Sequence, residues 1–288
     1  MRFESLEEKC RRYQSLSDYR LLPNSYVVVH CDGRSFSKMI KNKFIKPFDD
    51  DFINMMNKTA VYLCENVACV KMAYVQSDEI TLILSDLDNE CNGEFMFGGR
   101  FCKLQSIIAS LATGKFNQLM MGYAIKKLDI NNTDDIIDFV NNSKPCQFDC
   151  KVWNVPNVNE AFAWLLYRQI DCIRNSKQQA AQAYLSHKEL HGLNTDQQIQ
   201  KLMDKYNIDW YLFFDDGKKY VIVFNMQSPV SPIRHIIGLN DVEYNKEYRE
   251  ALYEAQTTQN INSLVEVFKK CQIRLDEKLS DYDSIIKQ

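Results

Sequence analysis

The chain has 288 residues, 45% hydrophobic and 25% charged, with a formal net charge of −3. That is an ordinary globular balance, long enough for one large domain or a domain with an appendage. No apolar run approaches the roughly 20 residues of a membrane span, which excludes a helical membrane protein, and the acidic total carries no general nucleic-acid signature, although a local basic face still serves one.

Ten cysteines form no ligand pattern: there is no CxxC pair, and the four histidines give no zinc spacing. The N-terminal Met-Arg-Phe-Glu-Ser-Leu-Glu-Glu lacks the apolar core of a signal peptide. The expectation is a soluble, cytoplasmic protein with reduced, mostly buried thiols. A mitochondrial location stays open for a eukaryotic source, although the early glutamates argue against a transit peptide.

Residues 4–20 are polar with helical spacing at Leu6, Cys10 and Tyr13, which predicts a surface helix ended by Pro23-Asn24. The valine-rich stretch 25–31 predicts a strand. Phe36 to Lys46 reads as a loop or short helix bounded by Pro47. Phe52, Met55, Met56, Thr59 and Leu63 place an amphipathic helix over Phe48–Asn66. Residues 71–85 predict a β-hairpin turning at Ser77-Asp78-Glu79. A polar loop follows, then a helix over Arg100–Leu111 and a polar segment, 117–145, inserted in the domain.

Phe148 to Val152 predicts a strand, Asn159 to Leu190 one long helix or two, and Tyr220 to Phe224 a late strand. Strands and helices mix without strict alternation. The fold class is therefore α+β, with a mainly antiparallel sheet. Residues 1–235 are expected to form this domain, and 236–288 a charged helical C-terminal extension.

Two acidic motifs end apolar runs: Asp32-Gly33-Arg34 after Tyr26–Cys31, and Ser77-Asp78-Glu79 between Met72–Gln76 and Ile80–Leu84. If the strands pair, Asp32 and Asp78 meet at one sheet end. Two carboxylates there repel unless a cation sits between them. Magnesium takes oxygen ligands, and two-ion sites transfer phosphoryl or nucleotidyl groups. Gly33 lets the backbone approach a metal or phosphate, and its carbonyl can ligate. Arg34 and Lys46 offset triphosphate charge. Asp-Gly and Ser-Asp-Glu are also ordinary solvated turns, and the residues alone leave both readings open.

Elsewhere the bland readings weigh more. His187 and His191 lack the zincin Glu, since Lys188 stands there. Arg168, Arg174, Lys177 and Lys188 make a basic helix face or a solvated one. Phe162, Trp164 and Tyr167 read as core.

At this point the sequence resembles the tRNA-histidine guanylyltransferase-like proteins, which are reverse (3′-to-5′) polymerases. Asp32-Gly33-Arg34-Ser35-Phe36 resembles the family's D-G-R-x-F, Lys46-Pro47-Phe48-Asp49 its K/R-P-x-D, and Gln76-Ser77-Asp78-Glu79 its Q-S-D-E hairpin. Gly98-Gly99-Arg100 with Lys103, Phe148–Val152 with Pro156, and Arg168-Gln169-Ile170-Asp171 with Asn175-Ser176 follow in the family's order.

The resemblance implies a palm-like domain akin to polymerases and nucleotide cyclases. It implies two Mg²⁺ ions held by Asp32, Asp78 and the Gly33 carbonyl, with Glu79 beside them among the catalytic residues. The nucleotide, GTP, ATP or another NTP, is expected along Asp32–Ser37 (Arg34, Ser35, Phe36 and Ser37 included), Lys46, Ser77 and Asp78. RNA contacts are expected at Lys103, Arg168, Arg174, Asn175, Lys177 and Lys188. The implied partner is tRNA and the implied assembly a homotetramer.

Ile173 stands where true guanylyltransferases carry His, and Tyr184–Leu190 resembles the "like protein" branch. The expected task is therefore template-directed addition to truncated tRNA 5′ ends. Guanylyl addition to histidine tRNA, a nucleotide cyclase and a non-catalytic tRNA-binding protein are the alternatives. His30 also replaces an Arg common in the family, and Tyr167 a Trp.

Overall fold

The computed structural model describes residues 4–39, 43–87, 94–127 and 144–210, strands 220–225 and 234–237, and positions 134, 137 and 250. Helix α1 (Leu6–Ser15) starts at a capping box of Ser5 and Glu8 and buries none of its residues. Strand β1 (Tyr26–Gly33), the short α2 (Phe36–Met39), α3 (Asp50–Asn66), β2 (Val70–Gln76), β3 (Glu79–Ser85) and α4 (Phe101–Lys127) follow. Strand β4 (Phe148–Val155), α5 (Val158–Tyr184), α6 (His187–Leu190), α7 (Thr195–Tyr206), β5 (Tyr220–Asn225) and β6 (Arg234–Ile237) complete the order.

The strands form one sheet in the order β4-β1-β3-β2-β5-β6, antiparallel at every junction. Strand alternation sorts the side chains. Val27, Val29 and Cys31 of β1, Ile80, Leu82 and Leu84 of β3, and Phe148, Cys150 and Val152 of β4 enter the main core. Helices α3 and α4 cover that face. Helix α3 is capped by Asp49, whose carboxylate accepts from Phe52 N, and it buries the stripe expected from its spacing. On the other face lie His30, Asp32, Thr81, Glu79, Tyr74 and Gln76, and α5 packs across it through Trp164 and Arg168.

Three expectations need correction. Helix α4 does not stop at Leu111. It runs to Lys127, because Leu104, Ile108, Ala112, Phe116, Met120 and Ala124 continue one buried row at spacing four. The first part of the 117–145 segment is therefore helix. Its polar Asn117 clasps Cys146, donating to its carbonyl (2.8 Å) and accepting from its amide (2.9 Å). Residues 128–143, apart from 134 and 137, lie outside the described residues.

The boundary expected at residue 235 falls within β6, which pairs with β5 through Ile237. Beyond it the expected helical extension lies outside the described residues, apart from Glu250. The third correction is Tyr167, expected in the core but 54% exposed. A second, smaller core joins Ala180, Ala181 and Leu185 of α5 to Ile199 and Leu202 of α7, with Ile208 and Trp210. Among the described residues no helix is long and apolar enough to cross a membrane. Of the described cysteines, Cys31, Cys64, Cys69, Cys146, Cys150 and Cys172 are buried, and Cys10 and Cys102 are exposed.

Candidate active site

Strand pairing brings the two acidic motifs together as the sequence predicts. Asp32 lies directly opposite Glu79 across β1 and β3, and Asp78 sits one residue before Glu79 in the hairpin turn. Gln76 and Glu79 close the hairpin, leaving Ser77 and Asp78 as a two-residue loop, with Ser77 left-handed at φ 46°. The amide of Gly33 donates to the carbonyl of Asp78 at 3.0 Å, fastening strand end to turn.

Gly33 is required by this closeness. A Cβ there would stand 2.5 Å from Phe36 Cδ2 and 2.9 Å from Asp78 Cβ. The Phe36 ring is 1% exposed and wedged against Phe52, Phe116 and Phe148, so it has nowhere to retreat. Gly33→Ala is expected to cost about 1–3 kcal/mol by overpacking and to push the two carboxylates apart. A lower melting temperature together with lost nucleotide addition is the expected result. Unchanged values of both would contradict the close approach.

Neither Asp32 nor Asp78 forms an ion pair among the described residues. Burial raises the pKa of Asp32, with Asp149 next in weight, and Arg168 and Lys151 oppose it. Burial also raises that of Asp78, and the charge of Asp32 adds to the rise. Two mutually repelling carboxylates beside a backbone carbonyl make an all-oxygen donor set, which suits Mg²⁺. Among the described residues no three His, Cys, Asp or Glu side chains converge on one point.

The raised pKa values carry a stability consequence. In metal-free protein the folded state keeps the Asp78 proton to higher pH than the unfolded chain does. That advantage is full below the ordinary Asp value of about 4 and is lost as pH rises through the folded value. The melting temperature of Asp78→Asn in EDTA, relative to wild type, is therefore expected to rise with pH above about 4. A pH-independent difference would remove Asp78 from the repelling pair.

A cavity of about 510 Å³ opens beside the carboxylates, within the range of small-molecule sites. Asp32, Gly33, Ser35, Phe36, Ser37, Lys46, Ser77 and Asp78, which the resemblance assigns to the nucleotide, line it. Phe44, Ile45, Phe48 and Ile53 give it an apolar side, and α5 gives it Asn175, Ser176, Gln179 and Gln182. Two predicted residues behave differently. Arg34 is exposed outside the cavity, donating from its guanidinium to Gln147 Oε1 at 3.1 Å. Phe36 borders the cavity, but its ring belongs to the aromatic core.

The expected RNA-contact residues divide. Arg168 is 8% exposed and committed to Glu79 and Asp171, while Lys177 pairs with Asp196 at 2.8 Å. Asn175 donates to Asp171 at 3.1 Å from within the cavity wall. Lys103 lies over the Phe97 ring at 4.6 Å, and Lys188 is exposed on α6. Arg174 pairs with Asp171 yet remains 61% exposed. Residue patterning missed Asp149 and Lys151, which lie directly opposite Asp32 and His30 on β4. Their signal was the alternation of Phe148-Asp149-Cys150-Lys151-Val152, which puts both on the face of Asp32.

An antiparallel sheet that presents two close carboxylates at a hairpin, beside a cavity of nucleotide size, is the frame of a nucleotidyltransferase. The sequence profile of the tRNAHis guanylyltransferase family matches residues 7–156, and the chain belongs to that family of nucleotidyltransferases. It is similar to a probable tRNA(His) guanylyltransferase of Dictyostelium discoideum, 25% identical over 230 residues that cover 76% of this chain and 82% of the relative. It is also similar to an uncharacterised protein of Acanthamoeba polyphaga mimivirus, 27% identical over 217 residues that cover 72% of each chain. A solved bacterial tRNA(His) guanylyltransferase-like protein in complex with ATP shares the fold at a TM-score of 0.70 and 27% identity, covering 86% of this chain and 99% of that one.

Proposed function

We propose that the protein is an Mg²⁺-dependent, template-directed 3′-to-5′ nucleotidyltransferase that adds nucleotides to the 5′ end of truncated tRNA. The observation that carries this is the Asp32–Asp78 pair, close and without an ion-pair partner among the described residues, on the cavity's lining. Asp32, Asp78 and the Gly33 carbonyl would hold two Mg²⁺ ions. When bound, they activate the attacking hydroxyl and stabilise the leaving phosphate.

In the reaction, the 3′-oxygen of the incoming GTP, ATP or other NTP attacks the phosphorus at the RNA 5′ end. The new P–O bond replaces the bond to pyrophosphate in a 5′-triphosphate, or to AMP in an adenylylated end. The hydroxyl proton leaves to solvent, and the extended RNA keeps the triphosphate of the incoming nucleotide. Lys46 and Ser35–Ser37 receive that triphosphate, while the apolar side chains of Phe44, Ile45, Phe48 and Ile53 face the amide side chains of α5 around the base. Arg34, Lys103, Arg174 and Lys188 supply exposed charge for RNA phosphates. The protein works as a homotetramer, residues 1–237 forming the catalytic unit and the remainder an extension.

The repair task rests on Ile173, where guanylyltransferases carry His, and on the likeness to the bacterial like protein. A second reading, addition of one G to histidine tRNA, is favoured by the names of relatives such as that of Dictyostelium discoideum. A panel of tRNA transcripts separates the two. Extension of 5′-truncated transcripts by the nucleotide that pairs with the opposing base supports repair. A single G added only to full-length histidine tRNA supports the second reading, and no extension of any activated transcript contradicts both.

A further inference from the structure

Glu79 follows Asp78 directly, yet its carboxylate is fully engaged elsewhere. Arg168 Nε donates to Glu79 Oε2 at 2.9 Å, and Arg168 Nη2 reaches Oε1 and Oε2 at 2.6 Å each. Gln76 Nε2 donates to Oε2 at 3.1 Å, and Gln76 Oε1 in turn accepts from the Tyr74 hydroxyl at 2.7 Å. Gln76 and Arg168 are themselves only 3% and 8% exposed. To ligate a metal, Glu79 would have to surrender a buried, charge-assisted fork, and among the described residues no group of three His, Cys, Asp or Glu side chains is placed to hold a metal ion.

Arg168 also has a second partner. Its Nη2 donates to Asp171 Oδ2 at 3.1 Å, and the same oxygen accepts from Asn175 Nδ2 at 3.1 Å. Arg168, Cys172, Asn175, Ser176, Gln179 and Gln182 follow one another at helical spacing. All of these after Arg168 line the cavity. A continuous run of hydrogen bonds thus joins the catalytic hairpin to the α5 wall: Glu79 to Arg168, Arg168 to Asp171, Asp171 to Asn175.

We infer that Glu79 and Arg168 are positioning residues: together they fix the α5 wall of the nucleotide cavity at its distance from Asp32 and Asp78, and Glu79 is not a metal ligand. The inference rests on the two-ion reading above. His30 Nε2 lies farther off, 3.9 Å from Glu79 Oε2. Arg168, with two nitrogens on both carboxylate oxygens, is the cation that holds Glu79, and a lysine cannot replace that fork.

The test counts bound Mn²⁺ by electron paramagnetic resonance at saturating 3′-deoxynucleoside triphosphate, which binds but cannot attack. It is paired with steady-state kinetics of nucleotide addition. Glu79→Gln and Arg168→Lys are expected to hold as many Mn²⁺ ions as wild type while the KM for NTP rises about tenfold or more, a larger change than in kcat. Asp78→Asn is expected to lose bound Mn²⁺. If Arg168→Lys does not fold, Glu79→Gln, which keeps the shape and drops the charge, carries both readings. Loss of one ion in Glu79→Gln with KM unchanged overturns this assignment alone. A wild-type chain that holds no Mn²⁺ overturns the two-ion reading and the assignment with it.

Discussion

Asp32→Ala and Asp78→Ala are each expected to lower nucleotide addition by at least about 10³-fold while leaving the fold intact. Every 1.36 kcal/mol of lost transition-state stabilisation is a factor of about ten, and a metal site supplies several kcal/mol. The fold should survive because both groups already sit in an unfavourable state. Burial raises both pKa values, Asp149 adding to the rise at Asp32 and Asp32 to that at Asp78, and no ion pair among the described residues is broken by their removal. The check is single-turnover addition to an activated 5′ end, beside a melting curve in EDTA. Full activity in either variant would take that carboxylate out of the mechanism. An inactive protein with a collapsed melting temperature would instead make the pair structural.

Phe36→Ala is expected to give the largest stability loss, about 3–5 kcal/mol, as for other fully buried aromatic residues. The ring packs against Phe52 of α3, Phe116 of α4 and Phe148 of β4, with centroids 5.0 to 6.3 Å apart. It therefore joins both covering helices to the sheet directly under the Asp32–Gly33 strand end. Its loss leaves a cavity beneath the site as well as lost transfer energy. Urea denaturation should show a lower midpoint at unchanged slope. A loss under about 1 kcal/mol would mean that the ring serves the nucleotide more than the core.

Local features were legible from the residues. Three consecutive valines and two apolar runs flanking the Ser77-Asp78-Glu79 turn announced β1, β2 and β3, and the ordered motifs fixed which carboxylates meet. The end of α4 was not legible, because Gly114 costs about 1 kcal/mol in a helix and looks like a stop. Its position has no neighbour within 4 Å, and the buried Phe116 one turn from Ala112 outweighs that cost. The role of Glu79 was equally hidden. Its partner Arg168 stands 89 residues away, on a helix whose basic residues read as a face for RNA. Only tertiary packing shows that this charge is spent inside the protein, while Asp149 and Lys151 carry charge onto the face of Asp32.

The direction of synthesis tests the central claim most directly. An RNA with an activated 5′ end and a blocked 3′ end, lacking its 3′-hydroxyl, should still be extended in the presence of Mg²⁺. The same RNA offered a 3′-deoxynucleoside triphosphate should not be extended, because the attacking oxygen is missing. Extension that requires the RNA 3′-hydroxyl and accepts the 3′-deoxynucleotide would identify a forward polymerase and contradict the account.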